Sequence, residues 1–186
     1  MTLPLVVIPT YDERDNIGPI IARVRAAVPE ASVLVVDDGS PDGTGELADE
    51  LAARDDAVHV LHRTGKQGLG AAYLAAFDWA LERRFNPIVQ LDADGSHLPE
   101  ELPRLLARLE ATDASQPTPD LVVGSRWVDG GSVENWPAYR QAISRLGSAY
   151  AHLMLRLPAR DATAGYRVFR ADALRRIDLA DVHTRG

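Results

Sequence analysis

The sequence Val33-Leu34-Val35-Val36-Asp37-Asp38 is a short apolar run that ends in two carboxylates. Its composition is that of a β-strand buried on both faces, as strands in parallel sheets are. The glycines and the proline in 39–44 favour a tight turn into a helix. This stretch therefore predicts a β-α unit whose strand presents carboxylates at its end.

Similar units flank this stretch on both sides. Residues 3–8 form another apolar run, which predicts a strand that we expect to end at Pro9. Apolar residues at three- and four-residue spacing in 17–28 predict an amphipathic helix between the two strands. Further predicted strands at 58–61, 88–91 and 121–123 alternate with predicted helices at 47–52, 69–81 and 99–109. Because parallel strands need crossover connections, this alternation predicts a doubly wound α/β fold, with a mostly parallel sheet covered by helices on both faces.

The bulk composition limits the possible functions. The 186 residues, 46% of them apolar, suit a single domain over 1–186. A formal net charge of -7 argues against nucleic acid as a partner, since nucleic-acid binders present a net basic face. The sequence has no cysteine, which excludes disulfides, thiolate metal sites and cysteine nucleophiles. It has neither a signal-peptide pattern nor about 18 consecutive apolar residues, so we expect a protein that is not secreted and does not span a membrane.

Two aspartates follow the predicted strand at 88–91, with one residue between them. A bend after the strand can turn the carboxylates of Asp92 and Asp94 toward one point, where they suit a hard divalent cation such as Mg2+ or Mn2+. A lone pair of this kind is more often a polar turn before a helix, so the motif needs support from elsewhere. His97 is not assigned to the metal site, because a histidine near a helix start more often bonds to backbone or solvent.

Other polar residues are predicted at the same edge of the sheet, because the carboxyl ends of parallel strands lie together. Asp38 is a candidate nucleoside contact, since neighbouring carboxylates are costly unless a ligand or a cation shares the site. The segment 66–70 brings a lysine and free backbone N–H groups to a helix start, which suits an anion but also describes a flexible loop. Arg126 and Arg140 add guanidinium groups, which bind phosphate oxygens through paired donors.

Four motifs together resemble family 2 glycosyltransferases with the GT-A fold. They are Pro9-Thr10-Tyr11-Asp12-Glu13, the run from Asp37 to Thr44, Gly68-Leu69-Gly70-Ala71-Ala72-Tyr73, and Asp92-Ala93-Asp94. A later block is similar to the dolichol-phosphate mannose synthases and their bacterial polyprenyl-phosphate counterparts in particular. It comprises Gly124-Ser125-Arg126, Gly130-Gly131, Trp136, Arg140, Ser144 and the run from Asp161 to Arg167. The resemblance covers nearly the whole chain.

The resemblance implies a role for each matching residue. Contacts to the guanosine of GDP-mannose would come from Pro9, Tyr11, Glu13, Val36 and Asp38. The diphosphate and its metal would be held by Asp92, Ala93 and Asp94, with Asp92 and Asp94 as the metal ligands. Arg126 matches a family position that binds donor or acceptor phosphate, and Arg140 is a weaker match for the same task. The residues expected to be catalytic are Asp94, Arg126 and Arg140. Ser96 stands where some relatives have a metal-binding glutamine, so the third protein ligand is open and water can take its place.

The activity implied by the resemblance is transfer of mannose from GDP-mannose to a polyprenyl phosphate, with inversion at the anomeric carbon and a Mg2+ or Mn2+ cofactor. A protein with this lipid substrate is expected at the cytoplasmic face of a membrane, attached peripherally to the membrane surface or through a membrane partner subunit. The family continues past the position of Gly186 into a segment that supplies an arginine and a lysine for the phosphates, and we expect this chain to lack that segment.

Three alternatives are open on the sequence. A related transferase could use a UDP-sugar such as UDP-glucose. A receiver-like signalling domain also collects aspartates and one lysine around magnesium, although it leaves the block from Arg126 to Arg167 without a role. A non-catalytic nucleotide-sugar binder would bind the donor without transferring sugar.

Overall fold

A computed structural model describes residues 2–111, 117–125, 146–147, 154, 161, 164–177 and 179. Its strands are β1 (Leu5–Thr10), β2 (Ser32–Asp37), β3 (Val58–His62), β4 (Ile88–Gln90), β5 (Leu121–Val123) and β6 (Arg167–Phe169). Its helices are α1 (Arg14–Ala27), α2 (Thr44–Ala52), α3 (Leu69–Glu82), α4 (Leu102–Glu110), which a 3-10 turn at Pro99–Glu101 precedes, and α5 (Ala171–Arg176). The predicted alternation of strand and helix is confirmed through β5.

The strands form one sheet in the order β3-β2-β1-β4-β6-β5. The first four strands are mutually parallel, and β6 runs antiparallel to both β4 and β5. The expected mostly parallel sheet is therefore confirmed. Neither β6 nor α5 was predicted, because a strand of only three residues that begins with an arginine shows no periodicity.

Helices cover the sheet on both faces, and the two faces have separate cores. The alternate residues Val6 and Ile8 of β1 pack in one core with apolar residues of α1, α2 and α4. Leu5 and Val7 pack in the other core with residues of α3 and α5. Because both faces of β1 and β2 are buried, their sequences are continuous apolar runs, and the doubly wound fold is confirmed.

The first strand continues through Pro9, so the prediction that it ends there is wrong. β1 extends to Thr10, and Pro9 pairs in register with Val36 of β2. On the other side of β1 the pairing with β4 ends at Val7, whose carbonyl accepts a hydrogen bond from Leu91 N at 3.1 Å. Residues two apart in a strand bond toward the same side, so the backbone N of Pro9 faces β4, as that of Val7 does. Because the pairing with β4 has already ended at Val7, the missing N–H of Pro9 costs no hydrogen bond of the sheet.

In the part of the chain that the structure describes, none of the helices combines the length and the apolar character that crossing a bilayer requires.

Candidate active site

The winding of the sheet places a crevice between β1 and β4. The chain passes from β1 through β2 to β3 on one side, and then crosses to β4 on the other side of β1. In open α/β sheets ligands bind beyond the carboxyl ends of the strands at such a reversal. A cavity of about 270 Å³ opens there, lined by Pro9, Thr10, Tyr11, Glu13, Asp38, Lys66, Gly68, Leu69, Ala72, Asp92, Ala93 and Asp94.

The cavity brings together most of the residues nominated from the sequence. The nominated residues in its lining are Pro9, Tyr11, Glu13, Asp38, Asp92, Ala93 and Asp94. Val36 is not among the lining residues, and its side chain is fully buried in the core beneath α3. Arg126 and Arg140 lie outside the described residues.

Asp92 follows β4 and is held by side chains from two directions. The Tyr73 hydroxyl of α3 donates a hydrogen bond to its Oδ1 atom at 3.2 Å, and His97 Nε2 lies 3.2 Å from its Oδ2 atom. The hydrogen bond from His97 is the main cause that lowers the pKa of Asp92, while burial of the carboxyl opposes this effect. Asp92 is therefore poised as an anion beside the cavity.

His97 also contacts the motif that begins at Asp161. Its ring stacks on Tyr166 with a centroid separation of 5.3 Å. A Cβ atom on Gly165 would lie 3.1 Å from both Asp92 Oδ2 and His97 Nε2, so a larger residue there would press against both side chains. His97 thus bonds to a carboxylate, and sequence spacing gave no signal of this contact.

Asp94 has a different environment from Asp92. Its side chain is exposed, and its Oδ1 atom accepts a hydrogen bond from Ser96 N at 2.9 Å. Gly95, which lies between Asp94 and Ser96, has a φ of +73°, in the left-handed region that glycine adopts without strain. The turn at 94–96 is the polar turn that the lone motif predicts, and it also leaves the carboxylate of Asp94 at the cavity.

Asp38 is paired inside the protein. Its Oδ1 atom forms an ion pair with Arg63, and the two side chains are 7% and 11% exposed, respectively. Gln67 N lies 3.4 Å from Asp38 Oδ2, and Arg63 Nη2 donates to Gln67 Oε1 at 3.0 Å. Arg63 was missed as a site residue, although its position directly after β3 and beside the end of β2 could have signalled it.

Asp37, the neighbour of Asp38, is satisfied by local hydrogen bonds. Thr10 Oγ1 donates to Asp37 Oδ1 at 3.2 Å, and Ser40 donates from both its backbone N at 3.2 Å and its hydroxyl at 2.5 Å. The two adjacent carboxylates therefore have separate partners, and only Asp38 lines the cavity.

Hydrogen bonds join the loop after β1 to the loop after β2. Glu13 N donates to Thr44 Oγ1 at 3.0 Å, and Arg14 N donates to Asp42 Oδ2 at 3.1 Å. The Thr44 hydroxyl in turn donates to Asp42 Oδ1 at 2.5 Å, and this bond is the main cause that lowers the pKa of Asp42. The side of the cavity formed by Tyr11 and Glu13 is therefore built on the start of α2.

Lys66 supplies positive charge at the mouth of the cavity. Its Nζ atom lies 3.9 Å from the centroid of the Tyr11 ring, within the range of a cation–π contact. Gly68 precedes α3 with a φ of +93°, and the exposed Leu69 follows it in the cavity lining. The anion-binding interpretation of 66–70 is compatible with this placement.

The carboxylates at the cavity fit a divalent cation of the Mg2+ or Mn2+ type. No cluster of three or more His, Cys, Asp or Glu side chains suited to a metal occurs among the described residues. Two carboxylates, Asp92 and Asp94, line the same cavity. Hard divalent ions are commonly held by one or two carboxylates while substrate phosphates and water complete the shell, so this donor set suits an ion that arrives with a diphosphate.

Comparison with known proteins identifies the family. The model of "Glycosyl transferase family 2" matches residues 5–178. The chain belongs to glycosyl transferase family 2. The family match covers both the strand-end aspartates and the later block. The receiver-like alternative is therefore left without support.

Two curated relatives within family 2 are particularly similar to the chain. It is 55% identical over 183 residues to the polyprenol monophosphomannose synthase of Mycolicibacterium smegmatis, covering 98% of this chain and 67% of that protein. It is 54% identical over 182 residues to the undecaprenyl-phosphate mannosyltransferase of Micrococcus luteus, covering 98% of this chain and 72% of that protein. The chain thus spans about two thirds of the length of these relatives.

A solved structure with the same architecture confirms the fold. A mannosyltransferase of Pyrobaculum calidifontis in complex with GDP-Man and Mn2+ superposes with a TM-score of 0.61 at 19% identity, covering 94% of this chain and 46% of that one. At this identity the likeness concerns the fold, and it confirms the GT-A fold expected for a family 2 glycosyltransferase.

Proposed function

We propose that this family 2 glycosyltransferase transfers mannose from GDP-mannose to a polyprenyl phosphate, giving polyprenyl-phosphate mannose and GDP. The observation that carries the proposal is the cavity between β1 and β4, which gathers Asp38, Asp92 and Asp94 at one edge of the sheet. Its support from comparison is the 55% identity to a polyprenol monophosphomannose synthase.

The donor is assigned to this cavity by the chemistry of its lining. Pro9, Tyr11, Glu13 and Asp38 form the side assigned to guanosine, and Val36 can contribute there through its backbone, since its side chain is buried. Asp92, Ala93 and Asp94 form the side assigned to the diphosphate. Mg2+ or Mn2+ bound with the donor would neutralise charge on the diphosphate, held by Asp92 and Asp94.

The transfer is a direct displacement at the anomeric carbon of mannose. An oxygen of the acceptor phosphate forms the new bond to this carbon from the face opposite the diphosphate. The bond to the diphosphate oxygen breaks, and its electron pair leaves with GDP, so the configuration is inverted. The acceptor phosphate is already anionic near neutral pH, so the protein has to align the groups and stabilise the leaving diphosphate rather than remove a proton. We assign this stabilisation to Asp94 through the metal and to Arg126 and Arg140.

The lipid acceptor also implies a location. We place the protein peripherally at the cytoplasmic face of a membrane, in contact with the membrane surface or with a membrane partner subunit. The support is the lipid in the names of both relatives, which is a lipid-linked product in one and a lipid phosphate acceptor in the other.

Calorimetric titration tests the donor assignment. The chain is titrated with GDP-mannose and with UDP-glucose, each with and without Mn2+. The expected result is manganese-dependent binding of GDP-mannose that exceeds binding of UDP-glucose. Preference for UDP-glucose would replace the proposal with the alternative UDP-sugar transferase, and binding of neither donor would overturn the assignment of the cavity.

A radiolabelled transfer assay tests the reaction itself. Incubation with labelled GDP-mannose, Mn2+ and a polyprenyl phosphate is expected to move label into the organic phase. Tight donor binding with no transfer to any polyprenyl phosphate would instead identify a non-catalytic nucleotide-sugar binder.

A further inference from the structure

Tyr73 lies beside the proposed metal site and has no role in the residue assignments implied by the family. It occupies the second turn of α3, next to Ala72 of the cavity lining, and is 8% exposed. Its hydroxyl donates to Asp92 Oδ1 at 3.2 Å. A buried hydroxyl that reaches one oxygen of a candidate ligand can set the direction in which the carboxylate presents its other lone pairs.

Aromatic packing fixes the position of this hydroxyl. The Tyr73 ring stacks on Phe77 one helical turn later, with a centroid separation of 6.1 Å. Phe77 in turn meets Phe169 of β6 edge to face at 5.5 Å. The ring therefore has little freedom to rotate, and its hydroxyl approaches Asp92 from a rigid part of the fold.

The two carboxylates of the motif differ in how they are restrained. Asp92 has contacts from Tyr73 on one oxygen and from His97 on the other, whereas Asp94 is exposed and bonds to the backbone of Ser96 within its own turn. This asymmetry suggests one pre-oriented ligand and one that adjusts when the ion and the diphosphate arrive.

We propose that Tyr73 is a positioning residue that orients Asp92 for the divalent cation that binds with the donor. The inference rests on the proposed function and extends it from the ligands to the residue behind them. Residues that hydrogen-bond to metal ligands contribute about 10- to 100-fold to metal affinity, because they fix the geometry of the ligand before the ion binds.

The test measures Mn2+ binding to the full chain in the presence of GDP, by electron paramagnetic resonance of free Mn2+. Tyr73→Phe removes the hydroxyl and keeps the ring, so its aromatic packing is retained. The expected result is about a tenfold weaker Mn2+ affinity than in the wild type. The affinity for GDP without metal and the urea midpoint of the metal-free protein are expected to be unchanged. Damage to the cavity would lower both of these quantities.

Tyr166→Phe is the matched control. Tyr166 is also buried, at 4% exposed, and among the described residues its hydroxyl has no hydrogen-bond partner. This variant is expected to bind Mn2+ within about twofold of the wild type. An equal loss in both variants would overturn the inference, because removal of any buried hydroxyl near the site would then suffice.

The remaining outcomes separate the two proposals. Wild-type protein that binds Mn2+ with GDP, together with a Tyr73→Phe variant of equal affinity, would overturn the positioning role and leave the proposed function standing. Wild-type protein that binds neither GDP nor Mn2+ would overturn the proposed function and the inference with it.

Discussion

At the scale of single residues, the aspartates after β2 and β4 have different surroundings. Asp38 is buried and ion-paired with Arg63, whereas Asp94 is exposed in a turn at the rim of the cavity. Removing the partner of a buried carboxylate leaves an uncompensated charge in the interior, whereas removing an exposed carboxylate has no such cost. A substitution at Asp38 is therefore expected to affect stability as well as donor binding, whereas a substitution at Asp94 is expected to affect turnover with little effect on stability.

Asp94→Asn is expected to abolish manganese-dependent sugar transfer while leaving the unfolding midpoint close to that of the wild type. The amide keeps the hydrogen bond from Ser96 N but loses the charge that a hard cation requires. The transfer assay across a series of Mn2+ concentrations measures this. Asp172→Asn, an equal loss of charge at an 80% exposed side chain on α5, serves as the control, and an unchanged rate in Asp94→Asn would refute the metal assignment.

Arg63→Ala is expected to lower the free energy of unfolding by about 3 kcal/mol, because it leaves the charge of Asp38 buried without its partner. Urea denaturation provides the measurement. Adding Asp38→Asn to this variant removes the unpaired charge and is expected to restore much of the lost stability. GDP binding is expected to stay weak in the double variant, because the carboxylate assigned to guanosine is absent. Full stability in Arg63→Ala alone would show that the ion pair is not needed to bury Asp38.

At the scale of elements, the cavity depends on contacts between loops that are distant in the sequence. The loop after β1 is bonded to the start of α2 through Glu13 N and Thr44 Oγ1, and Arg63 and Gln67 connect the segment before α3 to the end of β2. The strands place these loops at one edge, and the side-chain hydrogen bonds hold them there.

Thr44→Val is expected to destabilise the fold by about 1–2 kcal/mol, since it removes a buried hydroxyl and leaves Glu13 N without its acceptor. GDP affinity is expected to fall as well, because Glu13 lines the cavity. Denaturant unfolding and GDP titration measure the two effects. Thr2→Val, at an exposed position before β1, is the control, and normal GDP binding in Thr44→Val would show that the loop after β1 holds its shape without this bond.

At the scale of the whole molecule, ligand binding at the cavity acts on the stability of the complete sheet. The cavity joins residues from the ends of β1, β2 and β4 and from the start of α3. A ligand that binds these residues only when they are assembled must stabilise the folded state by mass action.

GDP with Mn2+ is accordingly expected to raise the thermal midpoint by about 5–10 °C at a ligand concentration of about 100 Kd, which corresponds to roughly 2.7 kcal/mol for a chain of this size. Differential scanning fluorimetry measures the shift, and UDP with Mn2+ serves as the comparison. Adding EDTA is expected to reverse the shift that GDP with Mn2+ produces. An equal shift with UDP would contradict recognition of guanosine.

Much of the architecture followed from local patterns. The apolar runs of β1 and β2, the helical periodicity of α1 and the aspartates after β4 were sufficient to predict a doubly wound sheet with a ligand site at its carboxyl edge. These features were accessible because burial on both sheet faces and on one helix face imposes a repeat that is visible within a few residues.

The partners of the site residues were decided only by the tertiary structure. The pairing of Asp38 with Arg63, the hydrogen bond from Tyr73 to Asp92 and the insertion of β6 between β4 and β5 join segments that are far apart in the chain. No local repeat encodes them, because each depends on which crossover brings which strand end beside another. The sequence alone therefore predicted the edge of the sheet at which the cavity lies and the carboxylates that line it, and the packed fold determined which of those carboxylates are already held and by what.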